Sequence, residues 1–87
     1  MDSYRIEFAR AATKDLRTID RQWLPRIASE IDALAYDPRP SGCKKLVGSE
    51  HTYRIRVGDY RIGVFVENDL VEFARIAHRK DIYDIFP

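Results

Sequence analysis

The chain has 87 residues, of which 45% are hydrophobic and 33% charged. That balance excludes a disordered tail, a collagen-like repeat and a disulfide miniprotein, and no apolar run approaches the ~20 residues that a membrane-spanning helix needs. The opening Met1-Asp2-Ser3-Tyr4-Arg5 carries charges where an export signal has an apolar core, and one cysteine, Cys43, cannot close an internal disulfide. A single domain over residues 1–87 is expected, in a reducing cytoplasm.

Fifteen Lys and Arg face fourteen Asp and Glu, for a net charge of +1, but the charge is unevenly spread. Residues 39–61 hold Arg39, Lys44, Lys45, Arg54, Arg56 and Arg61 against Glu50 and Asp59, a net of +4, whereas residues 1–38 carry −1 and residues 62–87 carry −2. A cationic block inside a near-neutral chain points to a polyanionic partner such as RNA.

Tyr4-Arg5-Ile6-Glu7-Phe8 alternates apolar and charged residues and predicts a half-buried strand. Ala12, Leu16 and Ile19 recur at helical spacing, predicting an amphipathic helix from about Ala9 to Asp20. Trp23, Ile27, Ile31 and Leu34 mark a second helix. Pro25 is tolerated only in its first turn, which places the start near Gln22 or Trp23, and Asp37-Pro38 ends it. The short connection predicts an antiparallel helix hairpin. Arg39 to Gly48 reads as a loop, with a turn at Pro40-Ser41-Gly42. From Tyr53 the period drops to two. Tyr53, Ile55 and Val57 share one face, and Arg54 and Arg56 the other. Gly58-Asp59 and Asn68-Asp69 are turn signals that separate this strand from Tyr60–Val66 and from Leu70–Ala77. Lys80 to Phe86 reads either as one short helical turn or as a tail. The expected class is α+β: an N-terminal strand and a helix hairpin packed on one face of an antiparallel meander.

This layout predicts where the charge goes. If the helices cover the Tyr53, Ile55, Val57, Ile62 and Val64 face, Arg54 and Arg56 must stand on the opposite face. They lie about 7 Å apart along the strand, close to the spacing of successive phosphates. Neither His51 nor His78 lies in a metal-binding pattern, and Gly42, Gly48, Gly58 and Gly63 match no phosphate loop, so no metal or cofactor is expected. Ser3, Ser29, Ser41 and Ser49 sit in no nucleophile context, and Cys43 stands alone in a loop. Arg54, Arg56, Arg61, His78, Arg79 and Tyr83 remain, a basic and aromatic set that suits chemistry on a phosphodiester.

The run Lys45-Leu46-Val47-Gly48 followed by Tyr53-Arg54-Ile55-Arg56-Val57-Gly58-Asp59-Tyr60-Arg61 resembles the core signature of the RelE/ParE toxins of toxin–antitoxin systems, and Ile76-Ala77-His78-Arg79-Lys80-Asp81-Ile82-Tyr83 resembles their C-terminal motif. The resemblance covers essentially the whole chain. It implies a RelE-like fold, neutralisation by a cognate antitoxin, and one of two activities. The RelE branch consists of ribosome-dependent mRNA endonucleases (mRNA interferases) that cut in the A site without a metal, and the ParE branch inhibits DNA gyrase. The C-terminal set favours the RelE branch. The implied reaction is attack of the RNA 2′-hydroxyl on the adjacent phosphate. The resemblance puts Arg56 and Arg61 on the scissile phosphate and Arg79 beside them or at the leaving group. Tyr83 would stack on a base or position the nucleophile. Arg54, Lys44 and Lys45 would bind RNA. RelE-type enzymes often carry lysine where this chain has Arg54 and Arg56. Arginine keeps its proton at neutral pH, so His78 is the expected proton-transfer group.

Overall fold

The computed structural model describes residues 3–38, 43–46, 48 and 50–86. Its elements in chain order are β1 (Arg5–Phe8), α1 (Arg10–Leu16), α2 (Leu24–Leu34), β2 (Lys44–Lys45), β3 (Thr52–Val57), β4 (Tyr60–Glu67), β5 (Leu70–His78) and α3 (Ile82–Ile85). The five strands form one sheet in the order β1-β5-β4-β3-β2. The meander is antiparallel as expected, while β1 joins β5 in parallel, with Phe8 beside Phe73.

Both predicted N-terminal helices form, each shorter than its hydrophobic period. α1 stops at Leu16 because the amides of Arg17 and Thr18 reach back three residues, to the carbonyls of Lys14 and Asp15, and the Thr18 hydroxyl also donates to the Asp15 carbonyl at 2.9 Å. Such bonds tighten the last turn and stop propagation. Ile19 still reaches the core, from the bend that follows. α2 is capped by Trp23 and carries Pro25 in its first turn, where the missing amide costs no helical bond. Its buried residues Ile27, Ile31 and Leu34 recur at the predicted spacing. The helix ends at Leu34, ahead of Asp37-Pro38, because the amides of Tyr36 and Asp37 both converge on the Ala33 carbonyl. α1 seats on β5 and α2 on β3.

The principal core lies between these helices and the sheet. Tyr53, Ile55, Val57, Ile62 and Val64 all belong to it, as the alternation predicted, together with Val66, Val71, Phe73 and Ile76. The two turns fall where predicted, with Gly58 (φ +59°) and Asn68 (φ +54°) in the left-handed conformation that two-residue hairpin loops require.

Two features differ from the sequence expectation. The loop reading of residues 39–48 gives way at Lys44–Lys45, which pair antiparallel with Arg54 and Tyr53 as an edge strand. Hydrogen bonding to β3 outweighs the poor strand preference of two lysines, which suit an exposed edge. The predicted Pro40-Ser41-Gly42 turn lies outside the described residues. In addition, helical cover is not confined to one face of the sheet. The C-terminal segment forms the short helix α3, and Ile82 and Phe86 make a second small core there with Leu46 and Ala74. A register shift between β4 and β5 at Gly63/Val64 accompanies this change: Phe73 and Ile76 point to the principal core and Ala74 to the second. Gly63 admits the cover, since a Cβ there would stand 2.6 Å from the Phe86 ring.

Candidate functional site

α3 covers only part of its face. Beside it, toward the β3–β4 turn, Lys44, Arg54, Arg56, Arg61 and Tyr83 line a cleft of about 200 Å³. Strand pairing explains the convergence. Residues directly opposite on antiparallel strands share a face, and Lys44 stands opposite Arg54 while Arg56 stands opposite Arg61. Three neighbouring strands thus present cations to one patch. Among the described residues no acidic side chain lines the cleft, and none of the four cations is paired with a carboxylate. A polyanion bound there would relieve their mutual repulsion, which would favour phosphate over neutral ligands.

Two of these side chains are held in place. Arg61 is part-buried, and its Nη1 donates to the carbonyls of Gly58 and Tyr60, both at 3.0 Å. That leaves Nε and Nη2 for a ligand. The guanidinium of Arg54 lies 4.4 Å from the centre of the Tyr83 ring. A stacked guanidinium of this kind is stabilised by about 0.5–1 kcal/mol at an exposed site. Tyr83 is 64% exposed, so its ring stands in solvent at the rim instead of capping the core. Neither contact was legible in the sequence. A backbone carbonyl leaves no compositional trace.

The other predicted site residues fall elsewhere. Lys45 stands opposite Tyr53 and therefore faces away from Lys44. His78 stands opposite Tyr60, with their rings 5.8 Å apart, and lines a separate cavity of about 290 Å³ with Asp15, Thr18 and Asp81 on the helix side of the sheet. Its Nδ1 accepts the Lys80 amide at 3.2 Å. The structure therefore does not bring His78 to the arginines. Arg79 follows the end of β5 and is exposed; its amide donates to the Asp59 carbonyl at 2.8 Å, tying it to the same turn that holds Arg61. Among the described residues no group of three His, Cys, Asp or Glu side chains is arranged to hold a metal ion, and no helix is long and apolar enough to cross a membrane.

Among the described residues the cleft is cationic and holds no carboxylate, and it lies on the helix-backed meander of a small α+β protein. Residues 6–83 match the family described as ParE toxin of type II toxin–antitoxin systems. The chain is 38% identical to toxin RelE3 of Methanocaldococcus jannaschii, over 95% of its own length and 99% of the relative's. In three dimensions it is similar to the toxin in a RelB–RelE antitoxin–toxin complex from Methanococcus jannaschii, with a TM-score of 0.77, 38% identity, and 93% and 99% of the two chains covered. It is also similar to a chain of the RelBE2 toxin–antitoxin complex of Mycobacterium tuberculosis, with a TM-score of 0.76, 26% identity, and 93% and 97% covered. The chain belongs to the RelE/ParE family of toxins of type II toxin–antitoxin systems.

Proposed function

We propose that this toxin is a ribosome-dependent mRNA endonuclease of the cytoplasm that cuts mRNA in the A site. The observation that carries the reading is the meeting of Lys44, Arg54, Arg56 and Arg61 with Tyr83 in one cleft that holds no acidic side chain among the described residues. In the proposed reaction the 2′-oxygen attacks the adjacent phosphorus. The bond to the 5′-oxygen of the next nucleotide breaks, giving a 2′,3′-cyclic phosphate and a 5′-hydroxyl. The phosphorane gains negative charge on its non-bridging oxygens, and planar, permanently charged guanidinium groups stabilise that charge without supplying a proton. Arg61, already anchored through Nη1, and Arg56 opposite it are assigned to the phosphate. Arg79 is assigned to the leaving-group side, Arg54 and Lys44 to the RNA backbone, and Tyr83 to a base or the nucleophile; Lys45, which faces away, takes no part in the cleft. The proton of the 2′-hydroxyl needs an acceptor. Guanidinium groups cannot serve and His78 faces the other way, so the 2′-hydroxyl proton passes to solvent water at the open cleft, while the Lys44 ammonium gives a proton to the departing 5′-oxygen and regains one from solvent.

The partner proposed for the resting state is a cognate antitoxin whose acidic, amphipathic segment covers the basic face, in keeping with the relatives that were solved as RelB–RelE complexes. The family description names ParE toxins, which favours a second reading, inhibition of DNA gyrase without cleavage of RNA. Primer extension on mRNA programmed into ribosomes separates the two. Cuts within the A-site codon that need the ribosome and vanish with Arg61→Ala support the nuclease. Intact mRNA at high toxin concentration, with DNA breaks in cells, supports gyrase.

A further inference from the structure

The β3–β4 turn is gripped from two sides. On one side the six-membered ring of Trp23, the chain's one tryptophan, lies directly against Gly58, in the space that a Cβ there would need. On the other side the Gly58 carbonyl receives Arg61 Nη1, and the neighbouring Asp59 carbonyl receives the Arg79 amide. Trp23 is itself fixed. The Arg26 guanidinium lies 5.5 Å from its ring centre, and the Tyr60 ring lies 5.7 Å away, with the Tyr60 hydroxyl accepting the Asp20 amide at 3.4 Å. We infer that Trp23 is a positioning residue: by bearing on Gly58 it fixes the turn whose carbonyl aims the Arg61 guanidinium into the cleft.

The physical reason lies in the two ends of this contact. Glycine is the residue least able to hold its own backbone, and Gly58 is held at φ +59°, one of the several wells open to it. Arginine carries a long, rotamer-rich side chain, whose usefulness for an oxyanion depends on being oriented before charge develops. Neither residue supplies rigidity, so the aromatic ring from α2's cap must. The inference rests on the reading of the cleft as a phosphate site, but the coupling of Trp23 to Arg61 is measurable without any reaction.

The test uses the full chain labelled with nitrogen-15 in arginine, with the Arg61 resonances identified by their loss in Arg61→Lys. An Nη1 held by two carbonyls rotates slowly about its bond to Cζ, so the two Nη groups of Arg61 give separate signals in the native protein. Trp23→Phe keeps an aromatic ring but lacks the atoms that touch Gly58. Gly58→Ala pushes the intact indole away. Both variants are expected to merge the Arg61 signals while the remaining amide spectrum stays native. The double variant, in which the added methyl fills the space the shorter ring vacates, is expected to recover separate signals in part. In ribosome-programmed cleavage, a misaimed guanidinium lowers kcat by about 10- to 100-fold, with KM within about twofold of native because binding by the other cations persists. Separate Arg61 signals in both single variants would overturn the inference, whatever the cleavage assay shows. Loss of stability with the Arg61 signals unmoved would also overturn it, by reducing Trp23 to a core filler. If the native protein leaves mRNA intact, the nuclease reading fails, and the resonance measurement still decides whether Trp23 positions Arg61.

Discussion

Asp15 does the work of a missing strand, and its removal gives a quantitative check on the structure. β1 pairs with β5 only as far as Phe73, so the outward amide of Ile76 lies beyond its reach. The Asp15 carboxylate, on α1, accepts that amide at 2.9 Å and also takes Arg75 Nε at 2.8 Å and Nη2 at 3.0 Å. The Asp15 side chain is 14% exposed and that of Arg75 29%. Asp15→Ala strands the Ile76 amide and leaves the guanidinium without its fork. Each hydrogen bond to a charged group is worth about 1.5–3 kcal/mol. Arg75 can turn to water, so its two bonds count for much less than their sum. The expected loss is about 3 kcal/mol, which for a domain of this size is a fall in Tm of roughly 12–24 °C. Asp15→Asn keeps an acceptor for Ile76 and should cost about 1–2 kcal/mol, the charged part alone. The Asp15 hydrogen bond holds the Arg75 guanidinium above its already high ordinary pKa. A raised folded-state pKa means a contribution fully present below the unfolded value and lost only as the pH rises past it. The cost attributable to Arg75 is therefore constant from mild acid to mild alkali and disappears only in strong alkali. Urea unfolding measures these differences, and hydrogen exchange at Ile76 reports the freed amide. A loss under about 0.5 kcal/mol for Asp15→Ala, the range of ordinary surface substitutions, would refute the reasoning.

Two further outcomes are expected from the cleft's surroundings. Gly63→Ala places a methyl 2.6 Å from the Phe86 ring, which should displace Phe86 and loosen α3 at a cost of about 1–3 kcal/mol; protease nicking confined to residues after His78, or its absence, settles this. Binding of a single-stranded oligonucleotide that lacks the reactive 2′-hydroxyl should weaken with salt. If all four cleft cations contact phosphate, log K falls with log salt with a slope of about −3. Arg56→Ala should make that slope shallower by about 0.7, and an unchanged slope would remove Arg56 from the interface.

The residues that were legible in the sequence share one property: their position follows from a local period. Alternation along β3 put Arg54 and Arg56 on the other face from Ile55, and the turn signal at Gly58 set the register that brings Arg61 beside Arg56. What was not legible depends on contacts between distant segments. Lys44 becomes a cleft residue and Lys45 does not, because a two-residue edge strand registers on Arg54 and Tyr53. Two lysines in a Pro- and Gly-rich stretch give no period from which to read that. His78 was expected to handle protons near the arginines. As the last residue of β5, His78 is still paired opposite Tyr60, so the sheet stands between the two. Gly58 in the β3–β4 turn and Gly63 in β4 show the same limit. Gly58 reads as a turn and Gly63 as an ordinary small strand residue, yet each is shaped by a ring from elsewhere in the chain, Trp23 and Phe86. Phe86 anchors the helix that carries Tyr83 onto Arg54. Trp23 backs the turn that carries Arg61. The charges of the cleft are thus written in one stretch of sequence. Their aim is set by aromatic residues from α2's cap and the C-terminal segment, so substitutions far from the basic block should alter the cleft's chemistry without altering its charge.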